Sequence, residues 1–290
     1  MNKVLVLLSL AVLMSGCQNF GAKDDPYASM RCWAFRDEAS VTREQVEYIR
    51  KRSETGDLMC KTLLAGMYEN GHGVSQDIPK AKVLYQSLAQ ESEVAYSFLG
   101  RIAESGLDGP PDYVKARQFY QRAANTGNSH NAEAGLARLM EEGKGGAQDL
   151  EGALALYLSA MQSCNDDQWK SILRLRARGV TLTAEQEQRM NNVWLGTTTG
   201  QLKRRVWVVQ DAVSTTFKPG PEGAWVQVKV EYVEGSLEPR LSVVGSSGKD
   251  AIDRAVLQGL SDYRFPDEQF QTAEHKPWAG IAVVRIRARR

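Results

Sequence analysis

The sequence predicts an α-helical repeat solenoid of helix-turn-helix units, followed by a small α+β domain with an antiparallel sheet and one helix. Three observations predict it. Several residue columns recur at a step near three dozen, the pattern turns from helical to alternating near Gly196 and Gly200, and the tail pairs a hairpin pattern with one capped amphipathic stretch.

The repeat is found by aligning Leu64, Leu99 and Leu136, which lie 35 and 37 residues apart. The same steps align Cys60, Ala95 and Ala132, then Gly71, Gly106 and Gly143, then Asp77, Asp112 and Asp149. They also align Ala81, Ala116 and Ala153, followed by Tyr85, Tyr120 and Tyr157. Each unit therefore reads as a helix, a Gly-containing loop, an Asp and a second, antiparallel helix. The Gly column sits where the first helix must stop, and the Asp column is placed to cap the second by accepting free backbone N–H groups. Small Ala residues allow close helix approach, and a Tyr one turn later can fill the space between helices. A half-repeat over 41–54 precedes the array, while 169–178 and the helix after Thr183 close it, since an open repeat end exposes apolar surface. Thr183 and Gln186 match a capping box.

These columns resemble the SEL-one-like repeat, a relative of the tetratricopeptide repeat. The first copy reads Leu64-Ala65-Gly66-Met67-Tyr68-Glu69-Asn70-Gly71-His72-Gly73-Val74, then Asp77, Lys80-Ala81 and Tyr85. The second keeps Leu99-Gly100, Gly106, Asp112, Lys115-Ala116 and Tyr120. The third keeps Gly143, Asp149, Ala153 and Tyr157, with Met140 at the first aromatic position and Gly152 before its alanine.

The tail has a different grammar. Val226, Val228, Val230 and Tyr232 alternate with Gln227, Lys229 and Glu231, as in a half-buried strand, and Glu234-Gly235-Ser236 turns the chain into a second strand over 237–244. Ser247 and Asp250 read as a second capping box ahead of a helix with the apolar face Ile252, Ala255, Val256 and Leu260. Pro266 stops further helix, and a last strand over 279–288 completes the sheet. Residues 203–290, with Ser246-Ser247-Gly248, Ile252-Asp253-Arg254-Ala255 and Arg264-Phe265-Pro266, resemble the C-terminal domain of TonB energy transducers. That resemblance implies a domain able to take up an extended peptide at a sheet edge.

At the other end, Lys3, an apolar run over 4–13 and small residues up to Cys17 have the layout of a secretory leader. The run is too short to span a bilayer, which takes roughly 20 apolar residues. Leu13-Met14-Ser15-Gly16-Cys17 resembles the lipobox of bacterial lipoproteins, which implies cleavage before Cys17 and acylation of its thiol and amino group. Gln18 after the cysteine implies the outer membrane, facing the periplasm. The expected organisation is thus a signal peptide over 1–16, an acylated cysteine and N-terminal arm over 17–40, helical repeats with a capping helix over 41–196, and the TonB-like domain over 203–290.

Removing 1–16 takes away Lys3 and leaves 35 basic against 35 acidic side chains, so no global field favours nucleic acid. With Cys17 acylated, Cys32, Cys60 and Cys164 remain. An oxidising compartment permits one pair, and Cys32 with Cys60 is the nearer one along the chain; three buried thiols are the alternative. His72, His130 and His275 have no His or Cys at metal-ligand spacing. Glu141-Glu142 and Asp166-Asp167 read as solvated loop carboxylates, and Ser246-Ser247-Gly248 lacks a nucleophile elbow. No catalytic constellation and no cofactor are expected. Arg285, Arg287 and Arg289 share one face of the last strand, either as a charged face that discourages aggregation or as a site for an anionic envelope component such as peptidoglycan.

The expected function is a non-enzymatic periplasmic scaffold. Envelope proteins would bind its repeat surface and C-terminal sheet edge, and the acyl chains on Cys17 would hold it to the membrane. The alternatives are a structural tether between outer membrane and peptidoglycan, and an envelope hydrolase.

Overall fold

The computed structural model describes residues 25–163, 166–218, 222–267, 269 and 277–287. The chain divides into two compact units, Met1–Pro111 and Asp112–Arg290. The fold is a helical repeat array followed by a small antiparallel three-stranded sheet with a helix.

The first unit carries α1 (Ala28–Phe35), α2 (Arg43–Glu54), α3 (Leu58–Asn70), α4 (Ile78–Glu91) and α5 (Tyr96–Ser105). Local chemistry sets the ends. Thr42 caps α2 in a reciprocal box with Gln45, and Asp57 accepts the Cys60 N–H at 2.9 Å to start α3. Asp77 does the same for α4, accepting from the Lys80 N–H at 3.0 Å. The core is Ala28, Cys32, Val46, Ile49, Cys60, Leu63, Leu64 and Met67. A disulfide between Cys32 and Cys60, with Cα atoms 5.2 Å apart, fastens α1 to α3.

The second unit carries α6 (Tyr113–Ala124), α7 (His130–Glu142), α8 (Leu150–Ala160), α9 (Asp167–Ala177), α10 (Ala184–Thr216), β1 (Ala224–Val233), β2 (Ser236–Gly245), α11 (Asp250–Ser261) and β3 (Ala279–Ile286). Asp112 and Asp149 cap α6 and α8 through the N–H groups of Lys115 and Gly152. Gly71, Gly106 and Gly143 end α3, α5 and α7 in the left-handed conformation, with φ of 70°, 66° and 67°. The strand order is β2-β1-β3, both pairings antiparallel.

Two local expectations are corrected. The helical pattern does not end near Gly196 and Gly200. The helix α10 runs through both to Thr216, because Met190, Trp194, Thr198, Leu202, Val209 and Val213 keep one buried stripe along its length. Burial of that stripe outweighs a glycine cost of about 1 kcal/mol each. Nor do Ser247 and Asp250 form a capping box. The residue before α11 is Lys249 without a side-chain cap, and the loop is instead gathered on Asp253, whose carboxylate accepts from the Ser246 hydroxyl and from the Ser247 hydroxyl and N–H.

In this unit a single core joins the last repeat, the capping helices and the sheet. It includes Tyr157, Trp169, Ile172, Met190 and Trp194 together with Val226, Val228, Val230, Val256, Leu260, Phe265 and Val284. Trp194 stacks on Phe265 at 5.8 Å and meets Tyr232 and Trp278 edge-on, and Tyr263, buried against this cluster, has its hydroxyl pKa pushed up to about 12. Asp267 ties the indoles of α9 and α10 to the loop after α11, accepting from Trp169 Nε1 at 2.6 Å and, through its carbonyl, from Trp194 Nε1 at 3.0 Å.

Candidate functional site

The polar chemistry inside the repeats centres on carboxylates at the last turn of the first helix of a repeat. Glu69, in α3, is 2% exposed. Its carboxylate accepts the Tyr85 hydroxyl of α4 at 2.9 Å and the Arg101 guanidinium of α5, one nitrogen at 2.7 Å on Oε2 and the other on Oε1. Glu141, in α7, is 5% exposed and holds the same company. It accepts the Tyr157 hydroxyl of α8 at 2.9 Å, a two-pronged Arg174 of α9 at 2.8 Å on each oxygen, and Arg178 at 3.3 Å. In both places a tyrosine on the next helix and an arginine on the helix after that close around one buried carboxylate.

The electrostatics follow from that packing. The Arg174 fork, with help from Tyr157, holds the Glu141 carboxyl below the usual glutamate range, and Glu141 in turn raises Arg174. Burial, then the neighbouring carboxylate, pushes both the Tyr85 and Tyr157 hydroxyls well above the ordinary tyrosine value. A carboxylate so engaged is a clamp between helices and a poor general acid or base. The loop behind each clamp is also shared. The Gln76 amide donates to the Glu69 carbonyl and the Gln148 amide to the Glu141 carbonyl, each at 2.8 Å.

These carboxylates were missed by sequence reasoning, which expected Glu141-Glu142 to be solvated in a loop. A signal existed. Glu69, Glu104 and Glu141 are spaced by the same 35 and 37 residues as the leucine column, and Arg101, Arg138 and Arg174 follow one repeat later. The other pair, Asp166 and Asp167, starts α9, where Asp166 is the cap and accepts the Trp169 N–H at 2.9 Å.

Beside the Glu69 clamp, the first unit has an open groove of about 660 Å³. Met59, Leu63, Met67 and Phe98 supply its apolar lining, and Arg36, Asp37, Glu38 and Asn70 are among its polar wall. Phe98 stacks on Tyr85 with ring centres 4.6 Å apart. His72 Nε2 is buried there without a hydrogen-bond partner. Among the described residues, no group of three His, Cys, Asp or Glu side chains is placed to hold a metal ion, and no helix is long and apolar enough to cross a membrane.

Of the residues singled out in the sequence, Cys17, Arg289, Cys164 and His275 lie outside the described residues. Cys32 and Cys60 are buried and joined to each other. Arg285 and Arg287 are exposed, opposite the buried Val284 and Ile286, and Arg285 is the register partner of Trp225 on β1. Their backbone N–H groups are taken by α10, with Arg285 donating to Gln210 Oε1 at 3.2 Å and Arg287 to Ser214 Oγ at 3.3 Å. On the opposite edge the Leu237 carbonyl of β2 accepts the Phe265 N–H at 2.9 Å. Both sheet edges are therefore partly covered by the protein itself.

The Sel1 repeat model matches residues 60–92, 94–128 and 130–161. Over 117 residues the chain is 33% identical to an exopolysaccharide production negative regulator of Rhizobium leguminosarum bv. viciae, an alignment covering 36% of this chain and 44% of the relative. The corresponding regulator of Rhizobium meliloti (strain 1021) is 31% identical over 124 residues, covering 38% and 46%. The chain thus spans less than half the length of these curated relatives. Among solved structures, a Sel1 repeat protein from Oxalobacter formigenes is similar with a TM-score of 0.48 at 19% identity, over 67% of this chain and 78% of that one. A protective antigen of uropathogenic Escherichia coli displaying an SLR fold is similar with a TM-score of 0.48 at 24% identity, over 65% and 41%. The stretches that the Sel1 repeat model matches coincide with the periodic helices α3 to α8.

Proposed function

We propose that this protein is a non-enzymatic scaffold of the cell envelope, held to the outer membrane by acyl chains on Cys17 and facing the periplasm. Its groove on α3 and α5 takes an apolar segment of a protein partner. The observation that carries the reading is the division of labour beside Glu69. The carboxylate, the tyrosine and the arginine are spent on one another, while Met59, Leu63, Met67 and Phe98 line an open groove. Methionine adapts its shape to varied apolar side chains, which suits a peptide-sized occupant. The two similar rhizobial proteins are named as negative regulators, and regulation through binding is compatible with such a groove.

The test starts with a partner identified by in-cell crosslinking and then purified. Met59→Asp and Thr62→Asp place charge in the groove wall without touching the clamp. We expect each to weaken the partner's affinity by about tenfold or more, the scale of burying one side chain in an interface. Unchanged affinity for both variants overturns the groove as the binding site. Mass spectrometry of the native N-terminal peptide tests the anchor separately.

A second reading, a tether between outer membrane and peptidoglycan, draws support from the exposed Arg285 and Arg287 next to Trp225 on the outer sheet face. In that reading the TonB-like region engages cell wall through Arg285, Arg287 and Arg289. Replacing all three with Gln and finding unchanged retention on isolated peptidoglycan rejects it.

A further inference from the structure

We infer that the outward face of α1 lies in the headgroup layer of the membrane, as a second contact beside the acyl anchor. The inference rests on the anchored reading given above. The helix is apolar on two opposite sides. Ala28, Cys32 and Phe35 face the protein, with Cys32 bonded to Cys60 and Phe35 edge-on to Tyr48 at 6.1 Å. On the far side Tyr27, Met30 and Trp33 are 59%, 67% and 52% exposed. Ser29 and Arg31 also lie at the helix surface, but three large apolar side chains left bare together call for a cover.

Chain length favours the bilayer as that cover. Seven residues separate Cys17 from Asp25, and even fully extended the eight steps reach only about 29 Å, at roughly 3.6 Å per residue. An acylated Cys17 therefore confines α1 to the neighbourhood of the lipid surface. The side chains match the depth, because Trp and Tyr favour the boundary between headgroups and acyl chains. The disulfide keeps the helix fastened to the protein while its other face is engaged. Charge plays little part. Arg31 is paired with Asp25 at 3.4 Å and Arg36 with Asp37 at 3.0 Å, so the contact is apolar and indifferent to lipid charge.

The test places the photo-reactive residue p-benzoylphenylalanine at position 30, or at position 47 of α2 as a control, in the full-length chain in intact envelopes. Met30 is on the surface and its replacement leaves the core untouched. The expected result is a phospholipid adduct at position 30 about tenfold above that at position 47, unchanged at high salt. An adduct with a second copy of this chain or with another protein, or none above the control, overturns the inference. The N-terminal peptide is weighed in the same sample. Acylated Cys17 without a lipid adduct removes this contact and leaves the anchor standing, whereas unmodified Cys17 without a lipid adduct removes both.

Discussion

Replacing Glu141 by Gln isolates what a buried clamp contributes. The variant keeps the oxygen that accepts both the Tyr157 hydroxyl and Arg174 Nη2 but sets an amide N–H₂ against Arg174 Nε and Arg178, so the hydrogen bonds on Oε1 at 2.8 and 3.3 Å are lost. Breaking a fully buried ion pair costs about 3 to 5 kcal/mol, but the side chains of Arg174 and Arg178 are 52% and 40% exposed and rehydrate once released. Two charge-assisted bonds at about 1 to 1.5 kcal/mol each, after that discount, give a loss of about 2 to 3 kcal/mol. This is a rise of about thirty- to more than a hundredfold in local opening, which amide hydrogen exchange reads across α8 and α9. A cycle with Arg174→Gln should show coupling of about 1 kcal/mol or more. The pH dependence has a definite sign. The Glu141 carboxyl is held below its unfolded value, so its contribution is complete above about pH 4.3 and is lost as pH falls through the lower, folded value. The gap between wild type and E141Q should stay constant from neutrality to about pH 5 and close in acid. A loss under about 0.5 kcal/mol, or strict additivity with R174Q, would refute the clamp.

Tyr157→Phe removes one donor from the same carboxylate and should cost about 1 kcal/mol in the same exchange measurement. Gly135→Ala should destabilise by about 1 to 3 kcal/mol in denaturant unfolding, against the usual helix gain from alanine, because its Cβ would sit 2.7 Å from the buried Tyr120 ring. Gly145→Ala should lower the thermal midpoint, since φ is +71° there and a Cβ would run into the Tyr113 carbonyl oxygen, a backbone atom that cannot step aside. Phe265→Ala should cost about 3 to 5 kcal/mol and loosen β1 and α10 together in hydrogen exchange, because its ring lies among Trp194, Tyr232 and Trp278.

The helical repeat array was legible because its informative residues act within a few positions of themselves. An Asp three residues ahead of the N–H it accepts, or a Gly just past a helix, has the same meaning wherever it occurs. The strand alternation of β1 was legible for the same reason, and Val226, Val228, Val230 and Tyr232 are its buried side. What escaped notice was decided at longer range. Nothing near Glu141 marks it as buried, since it stands beside Glu142 and Gly143 at a helix end, and its partners come 16 and 33 positions later. The extent of α10 was hidden in a related way. Two glycines suggested a break, while the stripe that overrides them spans more than twenty residues and gains its burial from packing the sequence does not display.

The clamps also explain how a repeat built on small residues can have one arrangement. Ala81, Ala116 and Ala153 are fully buried and allow helices close together, but methyl groups alone specify neither rotation nor sliding of one helix on the next. A carboxylate that accepts from a tyrosine on the following helix and an arginine on the one after can be satisfied in few geometries, because a shift of an ångström or two leaves a buried charge without its donors. The arginine ends stay half exposed, which lowers the desolvation cost of burying the carboxylate. Specificity of packing is thereby assigned to a few polar atoms inside the array, and the apolar residues Met59, Leu63, Met67 and Phe98 remain at a groove whose shape those atoms hold constant. The half-buried Met59 and Phe98 of that groove can therefore change without disturbing the register of the helices that carry them, whereas Leu63 and Met67 are shared with the core.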